Sequence, residues 1–481
     1  MTNLRKILFI PALLIVFLST FFSCGEDRWT EYAPQTELDT WIYDIMHQHY
    51  LWYNEIPSYK EINLFVSPES FLSSAKWSSD NFSFVDSIMD VPSPTYGFDY
   101  SLVRSLDIDT AYNALITYVI PESPAAKAGL KRGDWIMKVD TSYISRKYEA
   151  ALLQGERARK LTMGTWKEVE LDPVVVGGET ETAFMVVPND ITLELGAAES
   201  IEDQPVHEYD VLTLSNGTKV GYLMYNSFTA GTTQDPEKYN NELREVSKVF
   251  KAANVQATIL DLRYNGGGTL DCAQLLGTIL VPSQRLNTPM SYLEYNDKNK
   301  DKDSTIVFDQ EVLKTGVNLD QKVLIVITSG STAGAAEMLT SGLYKVGNTP
   351  SIVVMGSASR GQIVATERFV NEAHRWSVNP VVCTVYNSDH VVGEEDASIL
   401  VPSSSFAISE TSINGATDYS QFLPFGNPNE RMLSIALQTL EGTYPPATAT
   451  SSRSIKAASF IIEKSFNSPA SRRFAGGLRI K

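Results

Sequence analysis

The chain has 481 residues, 43% hydrophobic and 20% charged, with a formal net charge of −17. That length and composition fit a globular chain of about two to four domains. The excess of carboxylates repels phosphate backbones and argues against a nucleic-acid partner. The five histidines (His47, His49, His207, His374 and His390) form no spaced ligand cluster, and no metal or organic cofactor is signalled. His47 and His49 stand two apart on a predicted helix and face different ways, which reads as structural.

Targeting comes first along the chain. Arg5 and Lys6 precede the apolar run Ile7–Leu18, which is too short for a comfortable membrane span and reads as a signal-peptide n-region and h-region. Phe21-Phe22-Ser23-Cys24 closes it and resembles a lipoprotein signal of the Bacteroidota type, with Cys24 as the lipidated residue; a plain secretory signal is the alternative. Residues 1–23 are then the signal, residues 24–35 a polar tether, and the membrane is touched through the lipid anchor only. Glu26 and Asp27 point to an outer-membrane lipoprotein of the cell envelope, on its periplasmic or surface face. Cys272 and Cys383 lie in apolar stretches without a CxxC partner and read as buried small side chains.

Thr36 as N-cap, with Leu38, Trp41, Ile42, Ile45, Met46 and His49 at helical spacing, predicts a first helix. Ser67-Pro68-Glu69 starts a second, and together they form a small helical unit over 36–93. Residues 94–190 are strand-rich. Within them Ser123-Pro124-Ala125-Ala126-Lys127-Ala128-Gly129-Leu130, the turn Lys131-Arg132-Gly133-Asp134 and the strand Trp135–Val139 resemble a PDZ domain. PDZ domains bind an extended peptide as an added strand and capture its carboxylate on a backbone loop. The matching loop here is Gly97-Phe98-Asp99, in which Asp99 replaces the usual glycine.

From 191 to 445 strands alternate with helices: Gly221–Tyr225, Tyr239–Ala252, Ala257–Leu262, Val323–Ile327, Ile352–Met355 and a final helix Arg431–Leu440. Asn296–Asp303, eight polar and charged residues, reads as a solvated loop, and residues 446–481 as a loosely held tail.

Asp261-Leu262-Arg263-Tyr264-Asn265-Gly266-Gly267-Gly268 ends a buried strand in three glycines, where backbone N–H groups approach a ligand closely. The spacing fits neither GxxxxGK[ST] nor GxGxxG. The string resembles the signature of the C-terminal-processing (S41) serine peptidases, as do the "SGSTAGAAE" stretch Ser329–Glu337, Val353–Gly356 and Tyr225-Asn226-Ser227-Phe228. The resemblance implies an α/β fold: an S41 core of ClpP/crotonase-like β/α layers, preceded by a PDZ domain and the N-terminal helices. It further implies a serine nucleophile at the start of a helix and a lysine base. At those positions this chain has Gly334 and Gln362, neither of which can attack or accept a proton. The implied oxyanion donors are Ala335 and a glycine of Gly266, Gly267 and Gly268. The expectation is a pseudopeptidase that binds a polypeptide or protein C-terminus. Two other readings remain open: an active peptidase with relocated groups (Ser331 or Thr332 with Lys345), and a structural lipoprotein whose groove is filled by its own loops.

Overall fold

The computed structural model describes residues 29–88, 93–170, 182–344, 350–390, 400–413, 416–445, 462–468 and 476–480. The signal segment, Cys24 and Lys345 lie outside them.

The centre is a five-stranded sheet in the order Ser351–Gly356, Val323–Thr328, Ala257–Asp261, Lys219–Tyr225, Val206–Thr213, parallel except for the last strand. Parallel strands are covered on both faces, so their sequences are near-continuous apolar runs. Period-two alternation sends Leu223, Leu260, Leu324 and Val326 to one face, where the helices Lys238–Ala252, Leu270–Leu280 and Ala335–Leu343 pack. Tyr222, Ile259, Ile325 and Ile327 face the other way, onto the helix Arg431–Leu440. A six-stranded sheet adjoins this core in the order Gly267–Thr269, Gly477–Arg479, Val364–Thr366, Val381–Tyr386, Pro289–Tyr295, Ser304–Val307.

A separate seven-stranded sheet runs Ile462–Phe466, Phe98–Arg104, Tyr112–Val119, Trp135–Val139, Arg159–Glu170, Thr182–Leu195, with Ser142–Tyr143 paired to Trp135–Val139. Its core holds Tyr100, Leu102, Ile116, Ile136 and Leu161 together with Ala125 and Leu130 of the helix-turn stretch. The Ser123 hydroxyl caps that helix by accepting from the Ala126 N–H at 3.1 Å. This sheet continues past residue 190 to Leu195.

Three expectations change. The first helix spans Trp29–His49 and starts before Thr36, so the polar tether is shorter. Thr36 and Asp39 matched a capping pattern, but both are buried side chains on the inner face of a longer helix. Asn296–Asp303 is solvated over most of its side chains, as expected, but it is not a plain loop: it winds into a 3-10 turn that caps this helix. Asn296 and Asn299 are buried and donate to the Tyr50 and Gln48 carbonyls at 2.9 and 2.8 Å, while Lys298 donates to the His47 carbonyl at 2.7 Å. Donors and a cation suit carbonyls left over at a helix C-terminus, which a composition rule does not register. The tail, finally, is not loose throughout. Ile462–Phe466 and Gly477–Arg479 are strands in two different sheets.

Candidate functional site

The strands Ala257–Asp261, Val323–Thr328 and Ser351–Gly356 deliver their C-terminal ends to one rim of the sheet, the usual location of sites in parallel α/β layers. Beneath that rim lies a buried charge network. Arg263 is fully buried and pairs with Asp261 at 2.7 Å, with Glu430 at 2.8 Å and with Glu410 at 3.3 Å. Tyr222 donates to Asp261 at 2.9 Å, and Arg132 of the PDZ turn reaches both Glu410 and Glu430. Burial works against the charge on Glu430, yet Arg263 beside it holds its carboxyl below the usual range. The arginine of the signature is therefore an anchor for the glycine segment rather than a reacting group.

Asn265 fixes the turn that follows. Its amide donates to the Tyr225 carbonyl at 2.8 Å, and its Oδ1 accepts from the Gly267 N–H at 2.8 Å. Gly267 and Gly268 have φ of +105° and +138°. A Cβ on Gly268 would stand 2.1 Å from the Phe228 carbonyl oxygen, so the backbones meet only because the side chain is absent. The Gly267 carbonyl accepts from the Phe228 N–H at 2.8 Å, and the Gly266 carbonyl accepts from the Gly477 N–H at 2.8 Å. Of the expected oxyanion donors, Gly267 thus has its N–H turned to Asn265, and the glycine segment serves as a strand.

Gly334 is the N-cap of the helix Ala335–Leu343, which Ala335 opens. The carboxylate of Glu337, one turn on and fully buried, gathers this region. It accepts from the Gly334 N–H at 2.7 Å, from the Gly361 N–H at 2.6 Å, from the Gln362 N–H at 2.9 Å, and from the Ser359 hydroxyl. Burial raises the Glu337 pKa, and these four donors oppose the rise. Gly334 and Gln362, distant in sequence, are therefore brought onto one carboxylate.

The strand Gly477–Arg479 passes between them. It lies parallel to Gly267–Thr269 on one side and to Val364–Thr366 on the other. Ile480 donates to the Thr366 carbonyl at 2.9 Å, and the Leu478 side chain is fully buried in the main core. A Cβ on Gly334 would lie 2.1 Å from the Leu478 nitrogen. A Cβ on Gly477 would lie 1.8 Å from Gln362 Oε1. Nothing in composition or spacing marks Gly477–Arg479 as part of this site.

The edge strand beside the expected peptide-binding loop is paired as well. Ile462–Phe466 pairs antiparallel with Phe98–Arg104 as an outer strand, running toward Gly97-Phe98-Asp99. Phe466 stacks on Tyr100 with ring centroids 5.2 Å apart, and Lys464 pairs with the buried Glu149 at 2.7 Å. Gly97 has φ of +81° and backs onto Ser123. The buried Asp99 carboxylate accepts the backbone N–H of Ser468. A cavity of about 630 Å³ lies nearby, lined by Leu115 of this sheet, Tyr264 and Ser329 of the core, and Ile462.

Of the other nucleophile candidates, Thr332 is buried with its hydroxyl donating to the Leu262 carbonyl at 2.8 Å. Ser359 is engaged by Glu337 and by the Leu400 N–H. Ser331 donates its backbone N–H to Ser329 Oγ at 3.1 Å. Cys272 and Cys383 are buried and unbridged, and burial pushes their thiols up to about 11 and about 12. Their reading as packing residues agrees with that.

Residues 219–390 match Peptidase family S41, residues 37–84 the Peptidase S41 N-terminal domain, and residues 115–167 a PDZ domain. A solved structure from Bacteroides fragilis, assigned to the S41 proteases, is 42% identical with a TM-score of 0.75, over 84% of this chain and 97% of that one. The chain belongs to peptidase family S41. It is also similar to the carboxyl-terminal-processing protease of a Picosynechococcus species, 26% identical over 47% of this chain and 46% of that protein. The carboxy-terminal-processing protease of Bartonella bacilliformis is 28% identical over 49% of this chain and 46% of its own length. The match thus spans about half the length of these curated relatives.

Proposed function

We propose that this S41-fold chain holds extended polypeptide without cutting it, as a lipoprotein anchored through Cys24 in the cell envelope. The observation that carries the reading is the content of the cleft. At the helix N-terminus and the opposing loop, where a nucleophile and its base are needed, stand Gly334 and Gln362, both hydrogen-bonded through their backbones to Glu337. Glycine has no attacking atom and a carboxamide takes no proton. Loss of either partner of such a pair typically costs about a millionfold in rate, and loss of both little more. Oxyanion stabilisation alone leaves about 10³–10⁴ over water. The burial and bonding of Thr332 and Ser359 count against relocated chemistry. The PDZ domain, with a strand already added to its open edge, supports polypeptide as the ligand class.

The tail strand in the cleft favours one other reading, a structural protein whose groove is permanently filled. The functional reading is tested on residues 25–481 with an unfolded substrate protein and a serine-directed covalent probe. Neither cleavage nor labelling is expected. Cleavage at the rate of an active family member, lost on Ser331→Ala or Thr332→Val, would overturn it.

A further inference from the structure

Two grooves of one chain are filled by one segment of the same chain, and the filling has the form of ligand binding. In the PDZ domain the added strand is antiparallel, on the edge and in the direction by which such domains take a peptide. In the core the strand is three residues long, contains a glycine at φ +83°, and contributes one fully buried side chain, Leu478. Both strands are short and come from the far C-terminal stretch of the chain. Ile462 is 42% exposed at an outer edge, and Gly477–Arg479 is joined to its neighbours through short parallel ladders. Elements with few buried contacts open first.

The walls are shaped to this occupant. The bare Cα of Gly334 leaves the space that the Leu478 backbone nitrogen takes, and the Gln362 carboxamide closes on a residue that has no Cβ. Asp99 stands where a PDZ loop meets a terminal carboxylate, and an anion there repels one. It accepts the N–H of Ser468 instead, a donor that any internal peptide position offers. The groove thus suits a chain that passes through it.

We propose that Ile462–Phe466 and Gly477–Arg479 are a tethered ligand, occupying in cis the path of a foreign extended polypeptide that carries a glycine–aliphatic pair and enters by displacing them. This rests on the reading of the cleft as a polypeptide groove. It also separates that reading from a permanently filled one. A tethered competitor acts at an effective concentration in the millimolar range, so it weakens a matching free peptide by about 10²–10⁴. The tether is then the device that restricts binding to ligands that are abundant or multivalent.

The test uses residues 25–481 and a fluorescent synthetic peptide with the sequence of residues 462–481. Wild-type protein is expected to bind it weakly. The full-length variant Gly477→Val, whose own strand can no longer seat against Gln362, is expected to bind it at least about tenfold more tightly. The same peptide carrying Gly477→Val is expected to bind neither protein. Equal affinity for both proteins, or no binding to either, overturns the proposal. Hydrogen exchange on the unaltered protein gives an independent readout that needs no variant. The Leu478 and Arg479 amides are expected to exchange faster than those of Ala257–Asp261, and equal protection overturns the proposal. The recovered peptide is weighed as well. A cut peptide ends the non-cutting reading and leaves the tethered ligand standing; an intact, unbound peptide does the reverse.

Discussion

The buried network beneath the strand ends and the strand Gly477–Arg479 are held by opposite means. Arg263, Asp261 and Glu430 are charges withdrawn from water, each satisfied by the others, and removing one member strands the rest. Gly477–Arg479 is held by backbone hydrogen bonds, by the Thr366 hydroxyl donating to the Leu478 carbonyl and by one buried leucine, contacts that another strand of matching sequence can replace. The first region is a frame with no alternative partner, and the second is an occupant with many.

The largest effect that separates them is expected from Arg263→Ala. It leaves Asp261 buried without a counter-charge and Glu430 with Arg132 alone at 3.6 Å, and is expected to cost about 3–5 kcal/mol in urea unfolding. A cost under about 1 kcal/mol would mean that water enters the network and that the frame is softer than its burial implies. A smaller effect is expected along the pH axis. The Glu430 carboxyl is held below its ordinary 4.5 in the folded chain, so its contribution is complete above about 4.5 and is lost as pH falls through the folded value. The urea midpoint of wild type is therefore expected to drop between about pH 5 and pH 3 more steeply than that of Glu430→Gln. Identical slopes would remove Glu430 from the account. The smallest effect is expected from Lys464→Ala on the occupant, about 0–1 kcal/mol, because Lys464 is half-exposed and the buried Glu149 keeps its hydrogen bonds from Tyr100 and Gln154. Its global stability should match wild type while the amides of Ile462–Phe466 exchange faster; a clear fall in the unfolding midpoint would make the tail part of the frame.

Much of this was legible in the residues. Apolar runs and their spacing located the four parallel strands and the helices Lys238–Ala252 and Arg431–Leu440, since burial on one or both faces imposes those periods directly. The caps Ser67 and Ser123 were visible because a cap is a contact between residues three apart. The glycine string and the positions of Gly334 and Gln362 could be read because their flanks are local. Asn296–Asp303 could not: polar composition indicates water, while those side chains bond to carbonyls of a helix some 250 residues earlier in the chain.

The sequence by itself determined which segments carry internal hydrogen bonds and apolar periodicity, and which side chains are missing from the positions where chemistry needs them. Only the tertiary structure decided what fills the space they left. Ile462–Phe466 and Gly477–Arg479 show no apolar alternation or helical stripe long enough to declare them, and each becomes a strand only when another strand supplies its partners. A strand defined by its neighbours is invisible to any local pattern. The absence of a Cβ at Gly334 and Gly477 is explained only by the atoms that come to lie against them.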